Sequence, residues 1–285
     1  GAIVDILDVN NNVLATTTAL AAPDSNGNPA GFFSTQLPYE LNNGTITLKA
    51  RARDNVGNVN PNVGSLTMTI FSVAGDYDGD GKADPAIFNP PTATWFVWNS
   101  SYGTPGSTAP LQTIQPYGYI GQDVPVPADY DGNGRTDMAV YLAFNSQWSV
   151  YRGKGTGGGD LGQYHVTLGT PGKDTPVPAD FDGDGKADLA VYRPSTGQWF
   201  VLGSSSTVPS ITYGTANVDK PVPGNYDNVG RDQFAVYGVY SGVGRWSIRD
   251  VVTGTTRTVN FGQTGDIPVP GDYDGIGSTE PAVYR

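Results

Sequence analysis

Apolar and polar residues alternate along most of this chain, and stretches with helical spacing are hard to find. Over residues 45–53, Ile46, Leu48, Ala50 and Ala52 fall on one side, while Thr45, Thr47, Lys49, Arg51 and Arg53 fall on the other. A period of two is that of a strand with one buried and one wet face. The same pattern predicts strands over 2–9, 12–16, 31–37 and 65–70. From residue 71 onward the apolar runs shorten and glycine, proline and asparagine separate them. The clearest stretch predicts strands over 176–179, 189–192, 198–202 and 210–213, with an Asp-rich loop after the first and a turn at 194–197. Four short antiparallel strands per unit make one propeller blade.

That loop is repeated. DYDGDGKAD at 76–84 returns as DYDGNGRTD at 129–137, DFDGDGKAD at 180–188, NYDNVGRDQ at 225–233 and DYDGIGSTE at 272–280, here loops one to five. A regular spacing of this kind is the mark of an array in which each unit buries its apolar face against neighbours. Trp95, Trp148, Trp199 and Trp246 keep the same phase, as do Phe88, Tyr141, Tyr192, Tyr237 and Tyr284. Aromatics so placed fill the wedge between blades, or stack on a ligand if they are exposed. Prolines at 125, 127, 176, 178, 221, 223, 268 and 270 flank the loops, as at strand entrances or unpaired edges.

The loops have the chemistry of a hard-cation site. Calcium takes six to eight oxygens, so a short loop must turn sharply and aim alternate residues inward. Loop one offers Asp76, Asp78 and Asp80 at positions 1, 3 and 5, the Lys82 carbonyl at position 7, and Asp84 at position 9. Loop two offers Asp129, Asp131, Asn133, the Arg135 carbonyl and Asp137; loop three offers Asp180, Asp182, Asp184, the Lys186 carbonyl and Asp188. Loop four keeps only Asn225 and Asp227, with Val229 at position 5, Gln233 at position 9 and Asp232 displaced by one. Loop five keeps Asp272, Asp274, Ser278 and Glu280 around Ile276. Three calcium sites are expected, with up to five if the last two loops also bind. Helix-loop-helix calcium hands share the spacing, but the β-branched segments after these loops do not suit helices.

The loops, the phase of the strands and the trailing aromatics together resemble the FG-GAP or VCBS type of calcium-binding propeller repeat, also seen in integrin alpha subunits. The resemblance implies a β-propeller over 71–285, with four repeats and half of a fifth. LKARARDNVGNV at 48–59 resembles the closing half of bacterial immunoglobulin-like domains. It implies a β-sandwich over 1–70, in which only five of about seven strands are found and the opening ones are missing. The expected fold is therefore all-β throughout.

Composition narrows the partners. A net charge of −11 disfavours nucleic acid and anionic membrane surfaces. The first three loops hold eleven of the 27 acidic residues, so bound ions would cancel much of that charge. There is no cysteine, hence no disulfide or thiol chemistry, and no apolar run long enough for a membrane span. His165 is the only histidine, which excludes histidine triads and multi-histidine metal sites. The glycine-rich stretch at 153–159 lacks the ending of a phosphate loop and reads as a hairpin insertion. Asn43 and Asn99 begin triplets of the glycosylation type.

The expectation is a secreted or cell-surface chain, not an enzyme, in which calcium stabilises a structural, adhesion or assembly module such as a filament or surface-layer subunit. The alternative is a lectin-like propeller of a larger secreted protein, binding carbohydrate through exposed aromatics. Expected partners are protein or carbohydrate at the cell surface, or further copies joined through unpaired edge strands.

Overall fold

The computed structural model describes residues 2–8, 11–19, 44–54, 56, 58–60, 64–70, 75–99, 112–114, 123–152 and 162–285. The predicted strand at 31–37 and the glycine-rich stretch at 153–159 lie outside the described residues. The chain divides into two compact units, Gly1–Ile70 and Phe71–Arg285. Among the described residues, regular structure is almost all strand, with one short 3-10 turn at Pro90–Thr92.

In the first unit β1 (Ile3–Leu7), β2 (Val13–Thr18), β3 (Gly44–Arg53) and β4 (Gly64–Ile70) form one antiparallel sheet in the order β2-β1-β3-β4. The polar side of β3 is less wet than its alternation predicts. Arg51 and Arg53 reach across to Asp5 on β1 at 3.2 and 3.1 Å. Asp5 is buried and also accepts from Thr16 on β2. A carboxylate held between two guanidiniums and a hydroxyl draws the arginine stems down onto the sheet.

The second unit is a series of small antiparallel sheets. The first is β5 (Ala86–Asn89), β6 (Thr94–Val97) and β7 (Gln112–Ile114). Three four-stranded sheets follow: β8 (Asp123–Pro125), β9 (Met138–Leu142), β10 (Gln147–Tyr151) and β11 (Gln163–Thr167); β12 (Thr175–Pro176), β13 (Leu189–Arg193), β14 (Gln198–Leu202) and β15 (Ile211–Thr212); β16 (Lys220–Pro221), β17 (Phe234–Tyr240), β18 (Val243–Arg249) and β19 (Thr256–Gln263). A pair, β20 (Ile267–Pro268) and β21 (Val283–Tyr284), ends the series. In each four-stranded sheet a proline closes the first strand, and the next residue, Val126, Val177 or Val222, donates to the second strand's alanine carbonyl.

Stacking of these sheets follows from the second strand of each four-stranded one, which is buried on both faces. On β13, Ala190 and Tyr192 pack with Trp199 and with Phe234 and Val236 of the next sheet, while Leu189 and Val191 pack against Trp148 of the sheet before. β9 behaves alike: Ala139 and Tyr141 join Trp148, and Met138, Val140 and Leu142 join Trp95. The pattern continues at Trp246, where Val283 of β21 packs from the far side. Trp95, Trp148, Trp199 and Trp246 each lie directly across from an aromatic of the preceding strand, with ring centroids 5.1–5.2 Å apart. Successive four-stranded sheets laid face to face are consistent with a β-propeller-like fold.

Candidate metal centre

Loops two to five each join the first strand of their sheet to the second, loop one leads into β5, and the backbone of each loop is tied to its own side chains. The position-1 carboxylate accepts the position-4 and position-6 amides in loops one, two, three and five, at 2.6–2.9 Å. Both donors are glycines with φ between 76° and 86° in these loops, a region costly for other residues. The position-9 side chain accepts the position-2 amide in all five loops. Position 5 of the first three loops accepts the amide of Lys82, Arg135 or Lys186.

This wrapping brings carboxylates together. Asp76, Asp78 and Asp84 form one group whose ligand atoms lie within 4.8 Å of one another, as do Asp129, Asp131 and Asp137, then Asp180, Asp182 and Asp184, and then Asp272, Asp274 and Glu280. Asp80 sits outside the first group, 3.5 Å from Lys82 Nζ. Asn133 turns to the backbone. Asp188 accepts from Ser204 as well as from its own loop, and stays outside the third group. Ser278 donates to Glu280. Among the described residues, loop four contributes no such group.

Burial and mutual repulsion shift these acids. Desolvation pushes Asp129 up to about 6 and Asp180 up to about 7. Asp137 rises to about 8, mainly through burial and then through the charge of Asp131. Asp188 rises to about 6 for the same first reason. Asp182 moves down instead, because hydrogen bonds from Ser205 and Ser206 outweigh its burial. Crowded carboxylates held at the expense of their charged form are the donor set that a divalent cation satisfies. These groups can hold metal ions and are compatible with calcium.

Neighbouring loops are hydrogen-bonded to one another, which the sequence reading did not foresee. The position-8 amides of Thr136, Ala187, Asp232 and Thr279 donate to the position-1 carbonyls of Asp76, Asp129, Asp180 and Asn225 in the loop before, at 2.6–3.0 Å. Side chains also accept: Thr136 from the Gly75 amide just ahead of loop one, and Asp232 and Thr279 from the position-1 amides of Asp180 and Asn225. Asp232, which looked displaced by one, is thus a brace for loop three. The Arg135 and Lys186 side chains lie across Gly79 and Gly132, where a methyl group would stand 2.6 Å from Arg135 Nε and 3.0 Å from Lys186 Cγ.

A second acidic series was missed. Asp123, Asp174, Asp219 and Asp266, just before the first-strand prolines, are buried. Asp174 binds Arg193 at 2.7 Å, Asp266 binds Arg285 at 2.9 Å, and Asp219 accepts from Tyr240 at 2.6 Å. The shared phase of D-x-P-V-P was the available signal. Trp95, Trp148, Trp199 and Trp246 lie in the cores, at most 2% exposed, so a ligand cannot stack on them. His165 receives or gives a hydrogen bond with Ser149 at 2.9 Å on the β10–β11 pair.

Residues 76–140 and 129–191 match the FG-GAP-like repeat family. No curated protein matches the chain. Among solved structures, the rhamnogalacturonan lyase PL11 of Bacillus licheniformis is similar at 14% identity and a TM-score of 0.32, over 99% of this chain and 53% of that one. The chain thus spans about half the length of that enzyme, and a likeness of this degree carries no argument about activity. The expectation that the chain is not an enzyme is not upheld: the solved structure found similar to it is an enzyme, a likeness that assigns this chain no activity either way. That expectation gave the loop carboxylates to metal ligation, while carboxylates also serve as acids and bases. Among the described residues no helix is long and apolar enough to cross a membrane.

Proposed function

We propose that this chain is a calcium-stabilised β-propeller segment of an extracellular or cell-surface protein, preceded by an immunoglobulin-like spacer over 1–70, with a structural or adhesive role. The observation that carries the reading is the recurrence of carboxylate groups, each within 4.8 Å, on loops of one geometry. Such sites bind in the range of extracellular calcium, with dissociation constants of about 10⁻⁴ to 10⁻³ M, and would be nearly empty in cytosol. The ions would clamp the turns that lead into the buried second strands. Protein or carbohydrate partners would then meet a rigid face.

Chelation tests this. Each ion at 100 times its dissociation constant adds about 2.7 kcal/mol, so excess chelator should lower the melting temperature steeply and calcium should restore it. Asp129→Asn should remove one ion and part of that gain. An unchanged melt in excess chelator would sink the reading.

A further inference from the structure

Loop four has the fold of a metal loop and the wrong charge for one. Counting positions 1, 3, 5 and 9, loops one and three carry four carboxylates each, loops two and five three each, and loop four only Asp227. Its backbone is nonetheless wrapped partly as in the others, with the position-9 cap kept and the position-1 side chain taking the position-5 amide in place of those at positions 4 and 6. Asn225 Oδ1 accepts the Val229 amide at 2.9 Å, and Gln233, fully buried, accepts the Tyr226 amide at 2.6 Å. Neutral amide oxygens thus replace the carboxylates in their backbone-capping role and drop their charge.

The remaining carboxylate already has a cation. Arg257 Nε donates to Asp227 Oδ1 at 2.7 Å, and the same guanidinium donates through Nη2 to the Tyr226 carbonyl at 3.1 Å. It therefore holds a position-3 carboxylate and a loop carbonyl together, which are oxygens of the kind a hard cation collects. Arg257 belongs to this sheet alone. Two residues before the partners of Trp148, Trp199 and Trp246 stand Tyr164 on β11, Pro209 just ahead of β15, and Arg257 on β19. In loop two, Arg152 and Lys186 lower Asp131 only against a larger desolvation, and Arg152 lies over the Tyr164 ring. In loop three, Ser205 and Ser206 take the position-3 carboxylate.

We infer that loop four binds no metal and that the Arg257 guanidinium is its built-in cation. The exchange keeps the braces on both sides. Asp232 still caps Asp180, and the Asn225 carbonyl still accepts from Thr279. Loop four therefore joins loops three and five whatever the calcium level.

This inference rests on the metal reading of the other loops, and the test separates the two. Bound calcium is counted by native mass spectrometry on the whole chain. Asp227→Asn should leave the count unchanged while Asp129→Asn lowers it by one; loss of an ion in Asp227→Asn overturns the inference. Arg257→Ala should lower the melting temperature by about 1–3 °C, as for a partly exposed ion pair, equally in calcium and in chelator. A loss that calcium abolishes, or no loss, overturns it. Combining Arg257→Ala with Asn225→Asp, Val229→Asp and Gln233→Asp should add one ion, and a folded variant without that ion also overturns it. If no loop binds calcium, Asp129→Asn is silent and the proposed function fails, while the melting of Arg257→Ala still judges the guanidinium pairing.

Discussion

Asp137 and Gln233 stand at the same loop position and cap the same backbone amide, yet they answer differently to pH. Without metal, burial lifts Asp137 to about 8 and Asp180 to about 7, above the carboxylate value of an unfolded chain, about 4. A folded pKa above the unfolded one means that the folded state binds more protons in between. Its stabilising contribution is complete below about pH 4 and is lost as pH rises through 6–8. Metal-free protein should therefore melt at a higher temperature at pH 5 than at pH 8. With calcium the sign reverses, because bound ions require deprotonated ligands. Thermal melts at the two pH values, with and without chelator, check both directions; parallel pH trends would refute the account. Gln233 carries no such dependence.

At the scale of the element, the second strands carry most of the packing. LAVYR at Leu189–Arg193 reads as a short apolar run, and its length alone does not reveal that alternate residues serve different sheets. The tryptophan phase was legible because large aromatics repeat visibly. The two-faced burial was not, since it depends on which sheet lies behind. Trp199→Ala should cost about 3–5 kcal/mol by opening a cavity among Tyr192, Phe181 and Phe234. Denaturant unfolding would show it as a lowered midpoint with little change of slope, and a loss under 1 kcal/mol would speak against a tightly packed cluster. The D-x-P-V-P acids escaped notice for a related reason. In the sequence they look like surplus surface charge, and only the cross-strand reach of Arg193 and Arg285 shows them as clamps.

For the whole molecule, the two units should respond separately to calcium. All four carboxylate groups lie in Phe71–Arg285, while the acid at the heart of Gly1–Ile70, Asp5, is already neutralised by arginine. Calorimetry in chelator should lower the transition of the second unit and leave that of the first in place; equal shifts of both would contradict this. Loop spacing made the repeat legible before any coordinates. The bonds between loops were not legible, because position 8 holds Thr, Ala, Asp and Thr and its common feature is a backbone amide that no residue type announces. Those bonds also run in one direction. Every braced loop takes its support from the repeat that follows it, some fifty residues later in synthesis. As the chain emerges, loop one stays unbraced until the Thr136 region is made, and the same lag passes down the series. Assembly of the Asp-rich loops is thereby ordered in time, with each repeat completing the one made before it.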